Sequence, residues 1–175
     1  MTNEKLEKLR DFKTASFAIW PDPLKNLLTI HGRIVILGLN PSAKISFGEN
    51  FHKGRFDHWY EEGFSQEPFK GSYMTDLIFE NESHASIIVK KWKKDEKFSR
   101  KNIRNLIKQF RILEIKKSTP ILCIGQNTKR LFSSAFPEYE NTFSINHPNS
   151  YRMKNNRKVF LKNLGKIRIQ FPRSR

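Results

Sequence analysis

The stretch Arg33-Ile34-Val35-Ile36-Leu37-Gly38 is the part of the sequence that most directly indicates the fold. It is an uninterrupted apolar run, rich in β-branched side chains, and it is followed at once by a turn containing glycine and proline. Such a run is typical of a strand buried on both faces of a parallel sheet. Pro120-Ile121-Leu122-Cys123-Ile124-Gly125 repeats the pattern. We therefore predict two central strands.

Weaker strand candidates and helical patterns alternate with these two runs. Residues 73–79 and 142–146 are the further strand candidates. Helices are predicted within residues 1–20, around 55–62, from Ser99 as N-cap to about 117, from Asn127 as cap through 132, and over about 155–164. Strands that alternate with helices form parallel sheets covered on both faces. The sequence thus predicts one domain over residues 1–175, a three-layer α/β/α sandwich with a short central parallel sheet, on which the N-terminal helix packs.

Composition limits the class of protein. With 175 residues and 37% apolar side chains the chain can bury a core without disulfide or metal cross-links. Its single cysteine, Cys123, lies in an apolar run and is expected to be a small buried side chain. The five histidines show no metal-ligand spacing, so we predict no metal. Neither a signal peptide nor a membrane span is evident, and we expect a cytoplasmic monomer.

The charge is strongly positive and unevenly distributed. Lysine and arginine number 33 against 17 acidic residues, a formal charge of +16. Residues 90–117 hold twelve basic and three acidic side chains, and residues 141–175 hold nine basic and no acidic ones. A field of one sign attracts phosphate backbones, so nucleic acid is the expected partner. A merely solvated surface is the alternative; a membrane surface is disfavoured, because the basic segments lack a strong amphipathic face.

Three loops beyond the predicted strands contain unusual residues. In an open parallel sheet the ligand lies at the carboxyl ends of the strands, where these loops should converge. The first contains Asn40, the second is the segment from Gly71 to Leu77 with Asp76, and the third contains His147. Each also has an ordinary structural explanation: an N-P-S turn, a helix cap, or a histidine without a chemical role.

Taken together and in this order, the loops resemble those of the uracil-DNA glycosylase superfamily. Five sequence segments carry the resemblance: GLNPS at 38–42, GRFDHWY at 54–60, TDL at 75–77, CIGQNTKRLF at 123–132 and HPNSY at 147–151. The resemblance extends from residue 34 to about 164 and is greatest to the mismatch-specific uracil and thymine glycosylases, which have a G-I-N-P-G type turn and an N-P-S or H-P-S loop. It implies excision of a flipped damaged or mismatched base from DNA, as in base excision repair, without a cofactor.

The resemblance also implies a role for each matching residue. Asn40 would position the water that attacks the sugar C1′, and His147 would donate a hydrogen bond to the leaving base. Phe51, or failing that Phe47, would stack on the flipped base. The residues that would contact DNA are Pro41, Ser42, Asn149, Ser150, the wedge residue Tyr151, and the basic Arg152, Arg157 and Lys158.

Asp76 departs from the family pattern, since many members have asparagine there to read uracil. An ionised carboxylate only accepts hydrogen bonds and would be repelled by uracil O4. Asp76 therefore suits an exocyclic amine, or it is protonated, or the protein does not excise uracil. HPN in place of HPS is a milder change, and no four-cysteine set for an iron-sulfur cluster is present. The rival interpretations are a non-catalytic nucleic-acid-binding module on the same fold and an enzyme acting on another nucleoside-like ligand.

Overall fold

The computed structural model describes residues 1–26, 29–52, 54–150 and 156–171. Helices and strands alternate along most of this part of the chain. The helices are α1 (Asn3–Leu9), α2 (Asp57–Phe64), α3 (Ala85–Lys94), α4 (Glu96–Ile112), α5 (Gln126–Ala135) and α6 (Arg157–Arg168), and the strands are β1 (Ser16–Phe17), β2 (His31–Gly38), β3 (Ser72–Asp76), β4 (Ile121–Ile124) and β5 (Thr142–Ile145).

The five strands form one mixed sheet in the order β1-β3-β2-β4-β5. β2 lies in the centre and pairs in parallel with β3 and β4, and β5 continues the parallel part beside β4. Only β1 runs antiparallel, on the outer side of β3. The predicted three-layer α/β/α architecture is confirmed, with one antiparallel edge strand added. The carboxyl ends of the four parallel strands consequently lie at the same edge.

The two faces of the sheet are covered by different helices because successive side chains of a strand point to opposite faces. Val35 and Leu37 belong to the core that includes the buried side chains of α1, α4 and α5. Ile34 and Ile36 belong to the core beneath α2 and α6. Cys123 on β4 is buried in the first core, as predicted, and this burial raises the pKa of its thiol to about 12.

The prediction of a helix through residues 1–20 is wrong in its second half. α1 ends at Leu9, and Ser16 and Phe17 instead form the edge strand β1, paired with Met74 and Tyr73. Phe17 is fully buried there. The gain from covering β3 and burying this ring outweighs the local helical pattern, which is a weak preference compared with tertiary packing.

The predicted bounds of other elements also differ from the structure: α4 ends at Ile112 and not at about 117, and β3 ends at Asp76 and not at Phe79. α4 begins at Glu96, capped by Asp95, whose side chain accepts a hydrogen bond from the Phe98 backbone N–H at 2.9 Å. Ser99, the predicted cap, lies one turn inside the helix. α3 was not predicted, since its β-branched run of Ile87, Ile88 and Val89 has low helix propensity. α5 starts directly after Gly125, without Asn127 as its cap.

Gly71→Ala is expected to destabilise the fold by about 2–4 kcal/mol, because a side chain adds a steric clash to an unfavourable backbone conformation. Gly71 has φ +77°, and a Cβ atom there would lie 2.0 Å from the backbone oxygen of Thr29. Urea denaturation measures the loss. Gly165→Ala in α6 is the control, since no atom lies within 4 Å of its Cβ position. Similar unfolding midpoints for the two variants would contradict the requirement for glycine at position 71.

Candidate functional site

The carboxyl edge of the sheet brings together the ends of β2, β3, β4 and β5. Gly38 at the end of β2 is in register with Asp76 at the end of β3. On the other side, the Gly125 backbone N–H after β4 donates to the oxygen of Ile145 at 2.6 Å. Asn40 and Asp76 therefore lie at the ends of the adjacent strands β2 and β3, and His147 follows β5, which β4 separates from β2 at the same edge.

Asn40 ties the loop after β2 to the loop after β3. Its Nδ2 donates to the backbone oxygen of Glu82 at 2.7 Å, with longer bonds to Pro41 at 3.1 Å and Glu80 at 3.4 Å. Because the amide nitrogen faces these carbonyl groups, Oδ1 is the atom of this half-buried side chain that can accept a bond from water.

The neighbouring residues of the first loop differ in accessibility. Pro41 is buried, and its backbone oxygen also accepts from the Glu82 N–H at 3.1 Å. Ser42 is exposed. Of the two residues predicted to contact DNA from this loop, Ser42 alone therefore presents its side chain to solvent.

Asp76 is a buried carboxyl group that accepts a hydrogen bond from a neighbouring side chain. Only 3% of the residue is exposed, and Asn50 Nδ2 donates to its Oδ2 at 3.0 Å. Oδ1 lies against Gly38, where a Cβ atom would be 2.0 Å away, so only glycine leaves room for the carboxyl group. Burial raises the pKa of Asp76 to about 7, although the bond from Asn50 acts in the opposite direction. Asp76 is thus partly protonated near neutral pH.

A buried polar network holds the strand that carries Asp76. Thr75 Oγ1 donates to Gln109 Oε1 of α4 at 2.9 Å and lies 2.9 Å from Thr14 Oγ1. Tyr73 donates its hydroxyl to the same Gln109 oxygen. These bonds attach one face of β3 to α4, while Asp76 projects from the opposite face toward α2.

Phe51 is the aromatic residue beside Asp76. Its Cζ would be 2.8 Å from a Cβ on Gly38, and its ring meets that of Tyr60 edge-on at 5.6 Å. Its φ of +65° is unusual for a bulky side chain and costs roughly 1–3 kcal/mol. Phe47, the alternative stacking residue, packs against the other core with Arg10 over its ring. Of the two candidate stacking residues, Phe51 therefore lies beside Asp76 and Phe47 does not.

His147 has a defined tautomer when it is neutral. Its Nδ1 lies 3.0 Å from the Asn149 backbone nitrogen and accepts its hydrogen, so the ring proton resides on Nε2. His147 is exposed to solvent, and the protein atoms around part of its ring lower its pKa below the ordinary value, which favours the neutral ring. The ring lies edge-on to Phe56 at 6.0 Å. His147 can thus offer an uncharged N–H donor at the carboxyl edge.

Helix α2 links these two parts of the site through Phe56 and Tyr60, which lie in the segment GRFDHWY but were not predicted as site residues. Phe56, its N-cap, contacts His147, and Tyr60, four residues later, contacts Phe51. Residues four apart lie on the same side of a helix. Asn50 was also missed, although it bonds Asp76. The segment GRFDHWY at 54–60 was the only sequence signal for this region, and nothing distinguished Asn50.

The other residues predicted to contact DNA differ in their exposure and in their partners. Asn149 is exposed, and Ser150 donates its backbone N–H to the oxygen of His147 at 2.8 Å. Arg157 forms an ion pair with Glu62 of α2, whereas Lys158 beside it is exposed. Tyr151 and Arg152 lie outside the described residues.

No metal-binding cluster and no spanning helix occur in the described ranges. Within residues 1–26, 29–52, 54–150 and 156–171, no three His, Cys, Asp or Glu side chains are grouped to hold a metal ion. None of the helices in these same ranges is long and apolar enough to cross a bilayer.

An open cavity of about 380 Å³ lies at the opposite, amino edge, where its lining includes His31, Arg33 and Lys70. It contains none of the predicted site residues.

The chain matches no protein-family model and no curated protein.

Proposed function

We propose that the chain is a DNA glycosylase-like hydrolase that cleaves the N-glycosidic bond of a flipped base. The observation that carries this proposal is the placement of Asn40, Asp76 and His147 along the carboxyl edge of the parallel part of the sheet. A water acceptor, a base-reading group and a neutral donor are what hydrolysis of such a bond requires. The formal charge of +16 supports a nucleic acid as the substrate.

The proposed reaction uses each group once. Asn40 Oδ1 accepts a hydrogen bond from a water molecule and orients its oxygen toward the sugar C1′. The C1′–N bond breaks, its electron pair leaves with the base, and the water oxygen bonds to C1′ as its proton passes to solvent. His147 Nε2–H donates to an oxygen of the departing base and disperses its negative charge.

Asp76 would read the base, with Phe51 beside it as the stacking surface. A protonated carboxyl presents both a donor and an acceptor, as the amide of asparagine does, and can therefore pair with a uracil-type edge. The ionised form only accepts and suits an exocyclic amine. Because the pKa of Asp76 lies at about 7, both forms exist near neutrality, and this supports a base preference that changes with pH.

The experiment that tests the proposal is base release from defined oligonucleotides. Purified protein is incubated with end-labelled DNA containing uracil, thymine opposite guanine, hypoxanthine or an alkylated base, and abasic sites are then cleaved with alkali. Product from one of these bases, formed at a rate that depends on Asn40, is the expected result. Absence of product from every base contradicts the enzymatic proposal.

A second candidate function is non-catalytic binding of nucleic acid on the same fold. The burial of Asp76 favours it, since 3% exposure leaves a base little access unless Phe51 moves. Tight, salt-sensitive binding without any product would support this alternative. Binding that does not respond to salt would contradict both functions.

A further inference from the structure

The long helix α4 carries five basic side chains on one face. Lys97, Lys101, Arg104, Lys108 and Arg111 are separated alternately by four and three residues, the spacing that keeps side chains on the same side of a helix. All five are exposed. At 1.5 Å per residue the row spans about 21 Å. We call these five residues the α4 stripe.

The α4 stripe is not neutralised by the acidic groups around it. Glu96 is paired with Arg100, Glu80 with Lys91, and Glu114 with Lys5. In the described part of the chain, no ion pair involves a member of the stripe. Its five positive charges therefore remain available to an external partner.

The α4 stripe runs across the molecule from one edge of the sheet to the other. Near the start of α4, Asn102 Oδ1 accepts from the Phe79 backbone N–H at 3.0 Å, which places this end beside the loop that follows β3. Beyond the end of the helix, Ile115 lies against Gly32 at the start of β2. The stripe thus leads away from the candidate site toward the amino edge.

The character of the surface distinguishes between classes of partner. Protein interfaces depend on buried apolar or aromatic anchors, whereas phosphate contacts need only cations. Among the described residues the exposed large hydrophobic side chains are Ile87, Val159 and Ile169, and none of them is on α4. A straight row of cations without an apolar anchor suits a phosphate backbone better than a protein surface.

We infer that the α4 stripe is a second nucleic-acid-binding surface, which contacts the phosphate backbone outside the loops of the carboxyl edge. Its length of about 21 Å matches about six nucleotide steps of 3.4 Å along one strand. This surface lies apart from the residues proposed to act on a base and requires no base excision.

The test compares two triple variants of the full-length protein. K101Q/R104Q/K108Q removes the centre of the α4 stripe, and K13Q/K25Q/K70Q removes three exposed lysines at dispersed positions, so both lower the formal charge by three. Binding to an undamaged duplex of about 30 base pairs is measured by fluorescence anisotropy as salt is varied. The stripe variant is expected to bind about tenfold or more weakly and to lower the slope of log K against log salt by about 2 to 3. The dispersed variant should lose much less.

Two results would overturn the inference. Equal losses in both triple variants would mean that net charge alone matters. Unchanged duplex binding by the stripe variant, with lost binding to polyglutamate, would assign the surface to an acidic protein. Both variants are expected to fold, because all six substituted positions are exposed, and thermal unfolding checks this. The duplex contains no damaged base, so failure here is distinguishable from failure of the proposed base excision.

Discussion

Asn40→Ala is expected to lower the single-turnover rate of base release by about 10²- to 10³-fold, the usual effect of removing one preorganised polar group from a reacting centre. The side chain is held in place by donation from Nδ2 to the oxygens of Pro41, Glu80 and Glu82. Only Oδ1 then remains to orient the attacking water. Affinity for an uncleaved duplex should change little, because phosphate contacts dominate binding.

The control for this variant is Ser83→Ala, which removes an exposed hydroxyl from the loop that follows β3. It should leave the single-turnover rate unchanged. Thermal unfolding of Asn40→Ala is needed as well, since the lost amide also connects two loops. A folded Asn40→Ala protein that releases base at the original rate would remove Asn40 from the proposed reaction.

Asp76→Asn is expected to change how stability depends on pH. The folded-state pKa of about 7 lies above the ordinary value of 3.8, because burial disfavours the carboxylate. The folded protein therefore binds this proton more tightly than the unfolded chain. The contribution of protonated Asp76 to the free energy of unfolding is fully present below the ordinary pKa and is lost as pH rises through about 7. The free energy of unfolding decreases by roughly 4 kcal/mol over this range.

Denaturant titrations between about pH 4 and pH 8 measure this contribution. The Asp76→Asn protein should lose less stability than the original protein over this range. Glu61→Gln on α2, which alters an exposed acidic side chain, is the control and should retain the original dependence. Parallel curves for the original protein and Asp76→Asn would show that Asp76 has the same proton affinity in both states.

The same variant separates base reading from stability. An amide presents a donor and an acceptor at every pH, whereas the carboxyl group of Asp76 loses its donor as it ionises. If the protein releases a uracil-type base, its rate should fall as pH rises through about 7, and Asp76→Asn should flatten that fall. An identical pH profile in the variant would make Asp76 a structural residue.

The central strands were predictable because their information is local. β2 and β4 are continuous apolar runs that end at glycine, and each matches the predicted strand within two residues. Alternation with helices was enough to indicate a parallel sheet, and the parallel sheet located the loops of Asn40, Asp76 and His147 at one edge. The location of these three residues could be predicted from their position in the chain alone. The periodicity of a strand shows where the strand ends, and parallel connections bring the carboxyl ends of all strands to the same edge.

What the sequence by itself determined is therefore the α/β architecture, the excess positive charge and the edge of the sheet where polar loops meet. Only the tertiary structure decided the edge strand β1 and the pairing of Asn50 with Asp76. Asn50 and Asp76 are 26 residues apart, and no local pattern specifies their contact. Burial sets the pKa of Asp76, and burial depends on every neighbour that excludes water, which is why this property emerges only when the chain is folded.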